Sequence, residues 1–445
     1  MIETRTRLAI LSLLSPLAFL LLSPNVRAQS GPPVLEFSFS NPGARSIGLG
    51  GAFAALADDA TAAFANPAGL VQLARPEVSV EGRMWNYTTP FTSGGRMWGT
   101  PTGTGLDTTP DLRFDESSST LAGVSFLSFV YPSGKWSLAF YRHQLANFEA
   151  IIATQGFFAT DEQTGESFRT SDFRTSTRLE VVNYGFSGAY RLSDSLSLGL
   201  GLSYFDGKLD TRTEFYAPIV ETLPEGPLGP NTYVPEARIS TQKVAFDDTS
   251  WSWSGGFLWR VSRPWSLGGF YRRGPKFSGG GGVFSGPALD PPLSEGTVLE
   301  QEESPLRLPD VFGLGAAYRS EDGSITGSFE WDHVNYSVII ESFDPGIVDP
   351  DVRLNDVDEF HFGFEYVFIN WTPLIALRGG IWVDPEHRIR YEGDDAVARA
   401  FFRRGEETWH YAFGFGLATK RFQLDLGFDL SNLVNTASLS AIMSF

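Results

Sequence analysis

Cysteine is absent from the 445 residues, so neither a disulfide nor a thiolate metal site can hold this chain together. Charge is scarce as well: 19% of residues are Asp, Glu, Lys or Arg, low for a soluble protein of this size. The charge that exists leans acidic, with 34 basic and 52 acidic residues and a net charge of −18. Such a chain lacks the basic footprint that nucleic acid requires. Beyond the first 28 residues no stretch approaches 18 consecutive apolar residues, which argues against a helical membrane protein. Glycine (47 residues) and aromatics (14%) are abundant instead. The length suits two or three ordinary domains or one large β architecture.

Residues 1–28 read as a secretory signal peptide. Arg5 and Arg7 form its positive end, Leu8 to Leu22 its apolar core, and Val26-Arg27-Ala28 a small-x-small cleavage site. An uncleaved anchor helix is disfavoured, because the apolar run is shorter than the roughly 20 residues that span a bilayer. Cleavage removes Arg5, Arg7 and Arg27 against Glu3, so the exported part is more acidic by two charges.

Period-two alternation dominates the rest. In 421–430 the side chains Phe422, Leu424, Leu426, Phe428 and Leu430 fall on one face, and Gln423, Asp425, Gly427 and Asp429 on the other. The same holds for Trp409 to Leu417, Phe360 to Phe368 and Leu196 to Tyr204. A soluble sandwich also alternates, with its apolar face inward. Here the apolar faces are large and aromatic, the opposite faces are Gly, Ser, Asp and Glu, and the segments run ten residues or more. That length matches the ~9–11 residues of a membrane-crossing strand better than the ~5–6 of a globular one. The pattern predicts an all-β fold: about 14 antiparallel strands in a transmembrane β-barrel over 76–445, apolar face to lipid.

The connections alternate in length. Short turns fall at 132–134, 192–194, 262–264, 320–323, 370–372 and 420–421. Long Pro-, Gly- and Asp-rich links fall at 88–119, 155–172, 217–235, 280–295, 342–351 and 389–406. Periplasmic turns and extracellular loops alternate in this way, which places both termini on the periplasmic side; only 431–435 is short where a long loop is due. The alternating last segment ends on Phe445, like the terminal signal read by the outer-membrane barrel assembly machinery.

Between the leader and the first strand lies GARSIGLGGAFAALADDATAAFANPAG, residues 43–69, rich in Gly and Ala and nearly free of β-branched residues. Gly43-Ala44-Arg45, Gly48 to Phe53, Ala57 to Ala60 and Asn66-Pro67-Ala68 resemble the amino-terminal hatch of the FadL/TodX family of outer-membrane long-chain fatty acid transporters. Leu308-Pro309-Asp310, Gly327 to Trp331, Trp371-Thr372-Pro373 with Leu377 to Gly380, and Val383-Asp384-Pro385 also look familial. The long loops carry no family signature, which leaves the substrate open.

The resemblance implies a hatch over 29–75 plugging the lumen of the barrel. It implies passive, cofactor-free uptake of hydrophobic compounds, long-chain fatty acids or hydrocarbons, across the outer membrane of a Gram-negative bacterium by a non-enzymatic monomer. Expected partners are those compounds, detergent, outer-membrane lipids and the assembly machinery. A structural barrel serving as an attachment or secretion partner is the second reading. An open porin needs an unplugged lumen and is disfavoured.

Within that frame, Phe53 and Phe64 either line a ligand pocket or pack the hatch. Pro67 fixes its own φ and turns Asn66 away from helix, and the Asn66 amide can bind freed backbone groups or a strand edge. Asn66-Pro67-Ala68 is therefore either a gate that positions the hatch or a structural turn. Arg378 alternates with Ala376 and Gly380 and so points inward, as Glu330 does beside Ser328 and Asp332. An interior polar network of Arg378 with Glu330 or Asp332 follows, because an unpaired buried charge is costly; a hatch-anchoring ion pair is favoured over a carboxylate-binding role.

Other motifs argue against catalysis and metals. Gly48-Leu49-Gly50-Gly51 lacks the spacing and the preceding strand of a dinucleotide fingerprint. His143, His333, His361, His387 and His410 show no paired ligand spacing, which disfavours zinc. Asp58-Asp59 suits a helix cap at Ala60 better than a calcium ligand. Serine is too abundant to point to a phospholipase. Gly279 to Gly282 reads as the start of a loop.

Overall fold

The computed structural model describes residues 40–104, 107–161, 164–217, 233–289, 293–303, 305–342 and 349–445. The expected signal peptide and the first part of the expected hatch, 29–39, lie outside the described residues.

Fourteen antiparallel strands close into a barrel. They are β1 Glu77–Trp98, β2 Leu112–Ser133, β3 Trp136–Ala153, β4 Asp172–Arg191, β5 Leu196–Tyr216, β6 Arg238–Arg260 and β7 Trp265–Arg272, followed by β8 Val311–Arg319, β9 Ile325–Val334, β10 Val357–Phe368, β11 Leu374–Asp384, β12 Thr408–Ala418, β13 Phe422–Leu430 and β14 Val434–Ser444. Each pairs with its sequence neighbours, and β14 closes on β1 from Glu77↔Ser444 to Tyr87↔Val434. Closure leaves no open edge, which is the condition for placing backbone polar groups in hydrocarbon.

The aromatic faces point outward. Leu198, Leu200, Leu202, Trp251, Phe362, Phe364, Tyr411, Phe413 and Phe428 are all exposed on the outer wall, Leu200 by 70%. A face that would aggregate in water is at home against lipid.

Inward positions change character along the strands. Near the short-turn end β5 presents Gly199, Gly201 and Ser203; higher up the same face carries Phe205 and Leu209. β1 goes from Ser79, Glu81 and Arg83 to Trp85 and Tyr87. The small and polar level surrounds the hatch. The apolar level above it forms one cluster with Phe148, Leu179, Phe246, Phe270, Phe277, Leu308 and Tyr336. Five strands (β1, β2, β4, β5 and β6) have 20 to 23 residues and rise well past a bilayer.

The Gly279 to Gly282 run is not a loop. Gly280–Ser285 forms a strand that continues the pairing along β6 above β7 (Gly280↔Ala245) and turns back through Val298–Glu303. Between the two levels the chain dips inward at Lys276-Phe277 and Leu306-Arg307, bracketed by Pro275 and Pro309, which cannot donate to a ladder. Phe277 and Leu308 are fully buried there, and Phe277 stacks on Phe246 at 5.1 Å.

Candidate functional site

The hatch has little regular structure: a helix α1 (Ala44–Gly48), a helix α2 (Ala62–Ala65) and a 3-10 turn (Pro67–Gln72). Its backbone groups must therefore find partners on the wall. Ser128, Ser187, Ser197 and Ser266 donate hydroxyl protons to the carbonyls of Ala60, Ala63, Ala68 and Ala55. The Glu330 carboxylate accepts from the amides of Phe53 and Ala54, each at 2.6 Å. Glu81, held by Arg83, accepts from Gly43 N at 2.9 Å. Wall glycines supply the room: a Cβ on Gly199, Gly268, Gly380 or Gly427 would collide with hatch backbone. The Gly and Ser of the inward faces are thus the seat of the plug.

Asn66 is fully buried and joins hatch to wall. Its backbone is extended, as a residue before proline prefers, and Pro67 opens the 3-10 turn. The side-chain amide donates to Ala54 O at 2.8 Å and to Phe257 O of β6 at 3.0 Å, and its oxygen accepts from Ala68 N at 3.2 Å. Ala68 itself is fully buried.

Arg378 does not take Glu330 or Asp332 as partners. Its Nε donates to Glu365 at 2.6 Å and its Nη1 to Asp425 at 2.8 Å. The reason is register: Arg378 sits opposite Glu365 on β10, while Glu330 and Asp332 sit opposite His361 and Glu359. Alternation gives the face of a side chain but not its height on the wall. Glu365 also receives both Nε and Nη2 of Arg45 at 3.1 Å. Arg45 in turn binds Asp58, which is held by Arg319 too. Burial by itself would raise the Asp58 carboxyl; the two guanidiniums together outweigh it and keep it well below the usual carboxylate range. Asp59 stays raised, because its burial outweighs Arg45. α2 starts at Ala62 rather than Ala60, and Asp59 serves the turn before it, accepting from Thr61 N at 2.9 Å.

Phe53 and Phe64 part company. Phe53 is fully buried, with the Arg45 guanidinium 5.8 Å from its ring, and packs the hatch. Phe64 lies against a cavity of about 430 Å3, open solvent included, that Tyr141, Phe205, Trp253 and Arg272 also line. Its ring centroid is 4.3 Å from that of His143, and the Arg272 guanidinium lies 4.4 Å above it. Arg272 is half-buried and donates to Asn41 at 2.9 Å; among the described residues it makes no direct ion pair, and Asp332 and Glu330 are the carboxylates whose charge reaches it.

His143 marks the end of a ladder. β2 and β3 pair only from Ser133↔Trp136 up to Phe126↔His143, whereas β2 stays paired with β1, and β3 with β4, far higher. β3 bulges between Gln144 and Ala146. Above the bulge, among the described residues, side chain-to-backbone bonds bridge the seam, such as Ser119 Oγ to Glu149 O at 2.6 Å and Ile151 N to Ser117 Oγ at 3.2 Å. The wall is interrupted one residue from the partner of Phe64. At the long-loop end, a helix α3 (Val338–Glu341) lies in the 335–356 loop, and a helix α4 (Ala396–Phe401), capped by Asp395, brings Phe401 onto Phe157 at 4.8 Å and Phe173 at 5.7 Å. This gives the mouth an apolar lining.

Sequence reasoning missed Arg45, Glu81, His143, Arg272, Glu365 and Asp425. For Glu365 and Asp425 alternation carried a signal, since both fall on inward faces of recognised strands. His143 and Arg272 have none, because their roles come from the ladder end and the cavity.

A family model described as outer membrane protein transport protein (OMPP1/FadL/TodX) matches residues 29–386. Among solved structures, a FadL homologue of Pseudomonas aeruginosa is similar with a TM-score of 0.60 at 14% identity, covering 94% of this chain and 100% of that one. The toluene transporter TodX of P. putida is similar with a TM-score of 0.60 at 15% identity, covering 92% and 99%. The CymD monoaromatic hydrocarbon channel gives 0.55 at 16%, covering 92% and 99%. No curated protein matches by sequence.

Proposed function

Because this chain belongs to the OMPP1/FadL/TodX family of outer-membrane transport proteins, we propose that it takes up long-chain fatty acids passively across the Gram-negative outer membrane. Outer-membrane location and a channel for hydrophobic compounds follow from the family. The similar channels include one for toluene and one for monoaromatic hydrocarbons. What favours a fatty acid here is Arg272: a half-buried cation that makes no direct carboxylate ion pair among the described residues, set with Arg273 in an otherwise largely apolar cavity. A chain ending in a carboxylate supplies both a directly bonded anion and the apolar surface.

The cargo enters through the aromatic mouth, crosses the apolar level of the lumen, and rests with its head on Arg272 and its tail along Phe64 and Phe205. It leaves sideways where the β2–β3 ladder ends, with Phe64 and Asn66-Pro67-Ala68 as the gate that holds the hatch beside that seam. No energy source is required. An accessible cavity next to a wall seam favours transport over an attachment or secretion role.

Uptake of labelled oleate and of toluene into cells producing Arg272→Met tests the reading. Loss of a charge-assisted hydrogen bond worth about 1.5–3 kcal/mol weakens oleate binding roughly 10–100-fold and leaves toluene unaffected. No change for oleate, or equal loss of both, refutes the carboxylate role. The absence of cysteine allows a second test. Gln144 Oε1 would lie 3.2 Å from a Cβ on Gly123, so a Gly123→Cys/Gln144→Cys pair joined by a short bis-thiol cross-linker should close the seam and stop uptake; undiminished uptake refutes lateral release there.

A further inference from the structure

We propose that Asp332, Glu359 and His361 form a binding site for a divalent cation of the zinc class, which clamps hatch residues 50–54 to the wall. Two directly opposed cross-strand pairs on β9 and β10, Glu330↔His361 and Asp332↔Glu359, make an inward tile of three carboxylates and one imidazole. The nearest atoms of Asp332, Glu359 and His361 all lie within 4.8 Å of one another. His361 Nε2 is 3.4 Å from Glu359 Oε2 and 4.0 Å from Asp332 Oδ2.

The imidazole is already set as a ligand. His361 Nδ1 lies 2.7 Å from the Gly50 carbonyl, which can only accept, so Nδ1 carries the proton. Trp382 stacks on the ring at 5.0 Å and fixes its plane. A histidine ligand bound to a carbonyl through its other nitrogen is the usual outer-shell arrangement at metal sites. Nε2 is left facing the carboxylates, and His361 is only 7% exposed. Nε2, Asp332 Oδ1 and Glu330 Oε1 are all buried without a hydrogen-bond partner. Buried polar atoms are normally satisfied, and the three crowded carboxylates repel one another, a repulsion that Arg272 offsets from a distance and a divalent ion between them relieves directly. Bonds of roughly 2.0–2.2 Å to a metal require the donors to close by less than an ångström. An adjoining cavity of about 670 Å3, open solvent included, gives access for the ion and a water ligand. Calcium and magnesium prefer all-oxygen shells, whereas imidazole with carboxylates suits zinc-class ions.

The clamp follows from the same bonds. His361 holds Gly50, and Glu330, across the ladder from His361, holds the Phe53 and Ala54 amides. An ion on this tile stiffens the wall beneath the hatch segment.

The test is calorimetric titration of the whole, chelator-stripped protein in detergent with ZnCl2, and with CaCl2 and MgCl2 in parallel. One equivalent of Zn2+ binds, more tightly than either hard cation. His361→Ala weakens it by roughly 100-fold, since a lost ligand costs at least as much as a lost outer-shell group. Glu359→Gln, nearly isosteric and at the rim, reads the same site should His361→Ala fail to fold. His333→Ala, on the exposed face, leaves binding intact. Zn2+ also slows amide exchange across residues 50–54 in the parent and not in Glu359→Gln. Absence of a saturable equivalent, or binding unchanged in folded His361→Ala or Glu359→Gln, overturns the site; binding without the exchange effect overturns the clamp.

Discussion

Asn66→Ala is the sharpest probe of how the hatch is seated. The substitution removes three buried hydrogen bonds, to Ala54 O, Phe257 O and Ala68 N. At about 1 kcal/mol net for each neutral bond, seating loses about 3 kcal/mol. With 1.4 kcal/mol per factor of ten, the unseated hatch becomes roughly 100-fold more populated. The barrel ladders are untouched, so heat-modifiable mobility on gels stays normal. Hydrogen exchange in detergent should therefore accelerate by about two orders of magnitude in residues 54–68 and nowhere in β1 to β14. Gly256→Ala is the matched perturbation from the wall side, because its Cβ would overlap the Asn66 side-chain oxygen. Labelled fatty acid uptake should change in both variants. Unchanged exchange in a folded Asn66→Ala protein refutes the energetic reasoning; accelerated exchange with unaltered uptake keeps the seat and removes the gate.

Arg378→Ala leaves Glu365 and Asp425 buried without this partner and should destabilise the barrel by about 3–5 kcal/mol, read as a lower temperature for the gel-mobility transition. Leu200→Arg places a charge on the lipid face and should cost about 2–4 kcal/mol if near the bilayer midplane, less toward either interface, measured by folding into vesicles. Asp58 is held below its unfolded value, so its contribution to hatch seating is complete above the ordinary carboxylate pKa of about 4 and is lost as pH falls below it. Asp59 is raised and acts in the opposite sense, which blunts the effect. Hydrogen exchange in the hatch, corrected for the intrinsic pH dependence of exchange, should therefore be less protected at about pH 3 than at about pH 5 in the parent, with a smaller difference in Asp58→Asn.

The sequence by itself determined the barrel and its orientation of faces. A period of two assigns every side chain to one side, and large aromatics on one side with Gly and Ser on the other suit lipid without and a plug within. A Gly- and Ala-rich stretch with Asn-Pro breaks the strand pattern at 43–69, and the resemblance of that stretch to the family's hatch pointed to a plug. Only the tertiary structure decided which inward residues meet. Arg378 and Glu330 share the interior, yet strand register sets Arg378 against Glu365 and Glu330 against His361. The same register gathers Asp332, Glu359 and His361 from two strands, where histidine spacing along the chain offered no sign of a metal. The cavity, the ladder end at His143 and the place of Arg272 beside Phe64 likewise depend on where strands stop pairing. Alternation fixes a side chain's side; height, neighbour and gap are properties of the closed wall.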